Sequence, residues 1–232
     1  MFSYKLLFFL PLISTIFTYP FGVLLGDKTA QYFSSTLISI AAILSWFLFI
    51  SFSMSPSPEI IIPVLEWFLV SGQFFNWGIS VNSLTLLMLT LVLTVSALVH
   101  IYSIEYMAHD NSKVRFMTYL SLFTFCMVAL VVSDNLIQLF FGWEGVGVAS
   151  YLLIGFYYRK QSANAAAIKA FVVNRVGDFG FALGIFGLFM LTDSISFDDI
   201  FSVAPKLANT TITFLWTDWN AANFIAILLF VG

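Results

Sequence analysis

The sequence predicts an all-α polytopic membrane protein, and three observations lead to that fold class. Hydrophobic residues make up 60% of the 232 residues and charged residues only 9%, whereas a soluble domain usually carries about 25% charged residues. Apolar stretches that approach or exceed the ~20 residues needed to cross a bilayer recur from end to end. In lipid, every backbone polar group needs a hydrogen-bond partner within the protein, which only helices and closed barrels provide. These stretches lack the alternation of polar and apolar residues that is typical of barrel strands, so they predict a helix bundle.

The chain contains six complete predicted spans and the beginning of a seventh. Two spans occupy residues 1–54, and four occupy residues 81–191. The first span resembles a signal peptide, because its apolar run comes directly after a lysine. The run is longer than the apolar region of a signal peptide and contains two prolines, so we interpret it as a retained helix. The predicted spans are Leu6–Gly26, Tyr32–Met54, Val81–Tyr106, Phe116–Ser133, Asn135–Tyr158 and Ala163–Leu191.

Two longer linkers are predicted to lie outside the membrane. Residues 55–80 are rich in proline and glycine, and we expect a hairpin around Ser71–Gly72. Residues 192–218 are polar and acidic, and Ser196 is placed as the N-cap of a short amphipathic connector helix. That helix is expected to pack Ile200, Phe201, Val203 and Leu207.

The last segment, residues 219–232, is too short to be a complete span. Fourteen helical residues measure ~21 Å at 1.5 Å per residue. A helix that ends inside hydrocarbon leaves carbonyl groups without partners. The sequence therefore predicts either a truncated chain or a seventh helix that another polypeptide completes.

Lysine and arginine are distributed unequally between the two sides of the predicted bundle, and this sets an expected orientation. The positive-inside rule places the richer side in the matrix or cytoplasm and the N-terminus on the opposite side. The richer side carries Lys28, Lys113, Arg115, Arg159 and Lys160, whereas the other side carries Lys5 and Lys206.

Composition and motifs exclude several classes of function. The net charge of −3 and the lack of a basic patch argue against binding of nucleic acid. No histidine or cysteine cluster in the sequence could hold a metal ion or an iron–sulfur cluster, and Cys126 is predicted to be a small buried hydrophobe. Gly145-Val-Gly147 lacks the third glycine and the preceding strand of a dinucleotide site.

Glu144 is the strongest candidate for a functional residue, because it is the one charge near the centre of the fifth span. Inserting an ionised carboxylate into hydrocarbon costs roughly 2.5–3.5 kcal/mol on insertion scales. Burial disfavours the ionised form and a nearby cation favours it, so a carboxylate under both influences can change protonation state when its partner moves. This is the physical requirement of a proton relay; a structural salt bridge is the alternative.

The sixth span carries an unusual number of charges for one transmembrane helix. Arg175 and Asp178 are three residues apart, share a helix face and can form an ion pair. Counted from the loop before the span, Arg175 and Glu144 lie at a similar depth of about 20 Å, so we expect these three residues to share a layer. Lys169 lies nearer the basic side, where it either extends the row of charges or reaches the interface.

His100 is a further candidate, near the end of the third span. An imidazole titrates near neutral pH and could take up protons at the basic surface. The alternative is a histidine that only forms a hydrogen bond with a neighbour.

Four blocks of the chain closely resemble the subunit 5 family of the respiratory NADH:ubiquinone oxidoreductase, complex I. The bacterial homologues and the large subunits of multisubunit cation/proton antiporters are close relatives of that family. The resemblance is strong from Val81 to Gly187 and looser over the first two spans. The four blocks are LVHIYSIEYM, RFMTYLSLFTF, FFGWEGVGVASYLLIGF and NAAAIKAFVVNRVGDFG.

This resemblance implies an antiporter-like helix bundle built from two inverted repeats, which translocates protons through buried charges. In the family, the glutamate that matches Glu144 pairs with a lysine on the seventh helix, and the charges that match Lys169, Arg175 and Asp178 also carry function. The present sequence ends at Gly232, before that lysine and the second repeat. The resemblance also implies that NADH, FMN, iron–sulfur clusters and ubiquinone are bound by other subunits.

The leading hypothesis is therefore the N-terminal part of a proton-translocating subunit 5 in the membrane arm of complex I. Its expected partners are the other membrane-arm subunits, lipids and a separate chain that completes the seventh helix and the second repeat. Its expected location is the mitochondrial inner membrane, or a bacterial plasma membrane. The alternatives are a subunit of a multisubunit Na⁺/H⁺ antiporter and a structural membrane subunit without its own proton path.

Overall fold

A computed structural model describes residues 1–55, 58–70, 73–208, 210–214 and 216–232 of the chain. Six of the described helices, α1 to α6, are long and apolar enough to cross a membrane. The predicted all-α polytopic fold class is confirmed. In chain order the helices are α1 (Phe2–Leu25), α2 (Asp27–Met54), α3 (Ser83–Tyr106), α4 (Lys113–Val131), α5 (Leu136–Ile154), α6 (Gln161–Thr192), α7 (Phe197–Leu207) and α8 (Ala221–Val231).

The first two spans form a helical pair with a single residue between them. Gly26 has φ 92°, a backbone conformation that only glycine adopts without strain, so the chain can reverse there. The apolar start of α1 is part of the protein core, since Leu7 and Phe8 are buried. This burial agrees with the interpretation of α1 as a retained helix.

The first linker forms two strands, β1 (Ile60–Val70) and β2 (Gln73–Val81). They pair antiparallel with Ile60 opposite Val81. The predicted turn residues Ser71–Gly72 lie outside the described residues, although the strands on either side form the expected hairpin. A second, shorter hairpin joins β3 (Thr211–Phe214) to β4 (Thr217–Asn220).

A buried glutamine fixes the first hairpin to the start of α5. The Gln138 side-chain amide donates to the Gly78 carbonyl at 2.8 Å, and its oxygen accepts from the Gly78 amide at 3.0 Å. Gln138 thus completes the hydrogen bonding of a strand residue at the end of the bundle. This contact sets where α5, and therefore Glu144, begins relative to the rest of the fold.

The two ends of the bundle carry different charges, as the sequence predicts. At one end, Lys113 Nζ lies 3.5 Å from Asp27 Oδ2, and Arg115 Nη2 donates to the Phe156 carbonyl at 3.1 Å. These contacts bring the α1–α2, α3–α4 and α5–α6 connections together, so the five basic residues of the richer side lie at one end. The Phe197 amide donates to the Asp134 carbonyl at 3.4 Å, which places α7 at the opposite end.

Most of the side chains that the sequence predicts to pack on the short connector helix α7 do so. Ile200 and Leu207 are buried, and Val203 is partly buried against the same apolar cluster. The prediction that Phe201 packs in this core is wrong, because its side chain is 70% exposed. One residue on from Ile200 is about 100° further around the helix, which turns Phe201 away from the buried stripe.

Helix α8 packs against a row of glycines on α6. An added Cβ at Gly177 would lie 3.1 Å from the Val231 carbonyl oxygen, and one at Gly184 would lie 2.7 Å from the Leu229 side chain. Their spacing places them on one face of the helix, where small residues let two helices approach closely in a membrane. The row comprises Gly177, Gly180, Gly184 and Gly187.

Candidate functional site

Three charged residues of α5 and α6 meet at the candidate site, as the depth estimate predicts. Arg175 Nη1 donates to the carboxylate of Glu144 and lies 3.6 Å from Asp178 Oδ2. One guanidinium therefore contacts two carboxylates, and the cluster carries a formal charge of −1 when all three groups are ionised. Arg175 is held further by the Phe171 ring, whose centroid is 4.7 Å from the guanidinium carbon.

Close packing between α4 and α5 determines where Glu144 lies. An added Cβ at Gly142 would lie 2.6 Å from the Leu130 backbone, and one at Gly145 would lie 2.7 Å from Cys126 Sγ. These two glycines therefore occupy the side of α5 that faces α4. Glu144 lies between them in sequence but on another side of the helix, where it reaches α6.

Trp143 is part of the cluster, and the sequence analysis missed it. Its Nε1 donates to Asp178 Oδ1 at 2.8 Å. Asp178 is thus held by a tryptophan from α5 and by Arg175 from its own helix. The available signal was the tryptophan beside a charge within a span, because a buried indole N–H generally needs an acceptor.

The cluster borders a cavity of about 570 Å³ between α4, α5, α6 and the end of α8. Trp143, Asn174 and Asp178 line it together with apolar side chains. The exposed fraction of the side chain rises from 10% for Asp178 to 22% for Glu144 and 46% for Arg175. Arg175 is therefore the member with most freedom to change partners, and Asp178 is the charged member that lines the cavity.

Lys169 lies apart from this cluster. It is exposed on α6, and it forms no hydrogen bond or ion pair with any other residue that the structure describes. The predicted continuation of the charge row through Lys169 is therefore not present as direct contacts. The position agrees with the alternative that the ammonium group reaches the membrane interface.

His100 is fully buried within a network of hydroxyl groups, and does not lie at the surface. Its Nε2 is 3.2 Å from Ser121 Oγ, and its Nδ1 is 2.8 Å from the Ser96 carbonyl oxygen. The Ser121 hydroxyl also lies 2.8 Å from Ser14 Oγ and 2.9 Å from Ser34 Oγ. Side chains from four helices, α1 to α4, thus share one polar network around His100.

Replacement of Ser121 by alanine tests the importance of this network. The hydroxyl contacts three side chains, so its loss leaves the buried His100 Nε2 without a hydrogen-bond partner among the described residues, while Ser14 and Ser34 keep only the bond between them. We expect a loss of about 1–3 kcal/mol in stability, measured as earlier thermal dissociation of the assembled complex. Ser150→Ala is the matched control, because that hydroxyl bonds only the Gly147 carbonyl of its own helix; equal effects of the two changes would contradict the role given to Ser121.

A separate acidic cleft lies at the end of the bundle opposite the basic residues. Glu59, Asp134 and Asp198 line this cavity of about 420 Å³. Burial raises the pKa of the Asp134 carboxyl, and the nearby Asp198 charge adds to the rise, while a hydrogen bond from Asn135 opposes it. The two ends of the bundle therefore differ in electrostatic character as well as in formal charge.

Comparisons with known proteins assign the chain to a family. The model described as NADH-Ubiquinone oxidoreductase (complex I), chain 5 N-terminus matches residues 67–117. The model described as NADH:quinone oxidoreductase/Mrp antiporter, TM matches residues 133–232. The second match contains Glu144, Lys169, Arg175 and Asp178, whereas His100 lies within the first.

Similar proteins come from bacteria and from eukaryotes. The chain is 57% identical over 216 residues to NADH-quinone oxidoreductase subunit L of Rhodobacter capsulatus, a match that covers 90% of this chain and 30% of that protein. It is 46% identical over 231 residues to NADH-ubiquinone oxidoreductase chain 5 of Triticum aestivum, covering 99% of this chain and 34% of the relative. The chain thus spans about a third of the length of these relatives.

Two solved structures share the fold. A chain of the membrane-bound sulfane sulfur reductase, an archaeal respiratory membrane complex, superposes with a TM-score of 0.80 at 17% identity, covering 97% of this chain and 43% of that chain. A chain of the Mrp complex from Dietzia sp. DQ12-45-1b gives a TM-score of 0.76 at 19% identity, covering 99% and 23% respectively. At these identities the likeness establishes the antiporter-like architecture alone.

Proposed function

We propose that this chain, which belongs to the family of antiporter-like membrane subunits and corresponds to the N-terminal part of chain 5 of NADH:quinone oxidoreductase, relays protons across the membrane. The observation that carries the proposal is the contact of Arg175 with both Glu144 and Asp178. Three charges within membrane-spanning helices are costly to maintain. A single cation that contacts two carboxylates can pair more closely with either of them.

In the proposed relay, movement of Arg175 controls the protonation of Glu144. When Arg175 shifts towards Asp178, the Glu144 carboxylate loses its counter-ion and takes up a proton; when Arg175 returns, the proton is released. A unit charge at about 4 Å changes the energy of a carboxylate by about 4 kcal/mol at an effective dielectric constant of 20.

Trp143, His100 and Lys169 are given separate roles in this proposal. The Trp143 N–H holds the Asp178 carboxylate in place, so that Arg175 is the group that moves. His100 and the hydroxyls bonded to it supply a polar route on the basic side of the bundle. Lys169 acts at the interface, where its positive charge opposes the approach of a proton.

The chain contributes no redox chemistry of its own in this proposal. NADH oxidation, with FMN, iron–sulfur clusters and ubiquinone, takes place in other subunits and drives the charge rearrangement that Arg175 follows. The partners are the other membrane-arm subunits. Polypeptide outside these 232 residues, in this chain or in a separate one, supplies the second repeat and the cation that faces Glu144 on the seventh helix.

The proposed location is the inner membrane of mitochondria, or the plasma membrane of a bacterium. The basic end faces the matrix or cytoplasm according to the positive-inside rule. The N-terminus and the acidic cleft then face the intermembrane space or periplasm. Cysteine labelling of Lys28→Cys and Lys206→Cys variants from each side of sealed vesicles tests this orientation.

Removal of the chain tests the proposed function. Complex isolated from cells that lack it is expected to oxidise NADH but to move fewer protons per NADH, because one proton path is missing. The measurement is acidification of sealed proteoliposomes against NADH consumed. Unchanged stoichiometry in a complex that has lost only this chain would contradict the proposal and favour a structural subunit.

A Na⁺/H⁺ antiporter is the second candidate, because the matched family model and the shared fold both extend to Mrp antiporters. An antiporter exchanges protons for sodium ions without NADH. A sodium gradient imposed on proteoliposomes in the absence of NADH is therefore expected to leave the internal pH unchanged if the chain belongs to complex I. A sodium-driven pH change that requires the chain would support the antiporter.

A further inference from the structure

A cleft of about 350 Å³ opens at the basic end of the bundle, away from the Glu144 cluster. It lies between the start of α4, the end of α5 and the start of α6, at the level where these spans leave the membrane. We call it the Arg115 cleft. Its lining includes Arg115, Tyr119, Tyr158, Asn164 and Ile168.

Two arginines converge on one tyrosine at this cleft. The guanidinium carbon of Arg115 lies 5.2 Å from the centroid of the Tyr158 ring and 4.8 Å from that of the Phe156 ring. Hydrogen bonds from Arg159 and Arg115 lower the pKa of the Tyr158 phenol. Arg115 therefore lines the cleft, and Arg159, the exposed residue next to Tyr158 in the sequence, adds a second positive charge near it.

Neither arginine has a carboxylate partner within the described part of the chain. The ion pairs found there involve Lys113 and Arg175. The Asp110 carboxylate near the cleft accepts a hydrogen bond from the Tyr157 hydroxyl at 3.1 Å. Arg115 donates to the Phe156 carbonyl, and its buried Nε has no hydrogen-bond partner. The two positive charges are thus left without a counter-ion among the described residues.

The backbone around the cleft is held in place before any ligand binds. The Asn164 side-chain amide donates to the Tyr158 carbonyl at 2.6 Å, and the Arg115 bond to the Phe156 carbonyl fixes the same loop from α4. Two helices therefore clamp the segment that carries Tyr158 and Arg159. A fixed fork of guanidinium donors suits the oxygens of a phosphate group.

We propose that the Arg115 cleft binds the phosphate group of an anionic phospholipid, independently of the proton relay. The charged groups lie at the membrane edge, and Ile168, which lines the cleft on α6, is 56% exposed and available to an acyl chain. Tyrosine side chains are favoured at the same level, where one end of the ring is apolar and the other polar. A soluble phosphate ion would use the arginines but not the apolar wall.

Photolabelling of the assembled complex tests the lipid site. The complex is placed in phosphatidylcholine bilayers that contain phosphatidylglycerol with a photoactivatable acyl chain, and the labelled peptides are mapped by mass spectrometry. We expect labelling near Ile168 in the wild type and a fall of about fivefold in Arg159→Gln, which corresponds to about 1 kcal/mol for one basic residue at a membrane surface. Arg115→Gln combined with Arg159→Gln is expected to reduce labelling further.

Lys28→Gln is the matched control, since it removes one positive charge from the same end but lies outside the cleft. It is expected to leave labelling near Ile168 unchanged. Equal labelling of the wild type and Arg159→Gln, or equal labelling by a photoactivatable phosphatidylcholine, would overturn the proposal. Displacement of the label by inorganic phosphate at constant ionic strength would assign the cleft to a soluble anion instead, and absence of wild-type labelling would indicate that a neighbouring protein segment fills it.

Discussion

Replacement of Glu144 by glutamine is expected to reduce the proton flux through this chain by about a hundredfold or more, with the complex still assembled. Glutamine keeps the size of the side chain but cannot take up and release a proton, and loss of a positioned acid–base group typically costs 10²–10⁴-fold. Arg175 retains Asp178 as an ion-pair partner in this variant. The measurement is the number of protons moved per NADH oxidised in sealed proteoliposomes.

Glu105→Gln provides the control for this change. Glu105 is exposed near the end of α3 and forms no ion pair within the described ranges. Its replacement by glutamine therefore changes the net charge by the same amount as Glu144→Gln without touching the cluster. We expect its proton stoichiometry to match that of the wild type. If both variants pump as the wild type does, Glu144 has only a structural role.

Replacement of Gly142 by alanine is expected to disturb the packing of α4 against α5, because the added methyl group would meet the backbone of α4. The added Cβ would lie 2.6 Å from both the Cα and the backbone nitrogen of Leu130. A backbone cannot rotate away as a side chain can, so the helices have to separate. Overpacking of this kind costs typically 1–3 kcal/mol, and we expect reduced yield and a lower dissociation temperature of the assembled complex.

Gly147→Ala is the matched control, because the same helix offers a glycine with open space around it. Apart from the neighbouring residues and backbone of its own helix, no atom of the described residues lies within 4 Å of a Cβ added at Gly147. This variant is expected to assemble as well as the wild type, and to gain slightly from the better helix propensity of alanine. Equal yields of the two variants would contradict the close helix contact at Gly142.

The sequence was sufficient to predict the three charged members of the cluster, because helix geometry limits where these residues can lie. Arg175 and Asp178 are three residues apart on a helix, so their shared face follows from the helical repeat alone. Glu144 and Arg175 were placed at equal depth by counting residues from the loop that joins their helices. Both estimates rest on short-range geometry, and both correspond to contacts in the structure.

Contacts between distant helices were not predictable in the same way. The hydroxyl network around His100 includes residues of three other helices, and serine residues are too frequent in the sequence to identify Ser14, Ser34 and Ser121 in advance. The Trp143 bond to Asp178 depends on the rotation of α5 about its axis. That rotation is set by close approach at Gly142, which only the packed structure reveals.

The strands of the first linker illustrate a different limit. The proline and glycine content predicted a turn, but the pairing of residues 60–70 with residues 73–81 depends on the bundle end that supports it. Ile62 and Ile79 are buried in the main core, and Gln138 bonds the backbone of Gly78. Tertiary contacts therefore decide whether such a segment forms strands.

Infrared difference spectroscopy of the turning-over complex tests the central claim most directly, namely that Glu144 changes its protonation state. Spectra recorded with and without NADH are expected to show a protonated carboxyl band that shifts in heavy water, disappears in Glu144→Gln and persists in Glu105→Gln. A carboxyl band that remains unchanged in Glu144→Gln, or a wild-type spectrum without a change at a carboxyl group, would contradict a proton relay through Glu144.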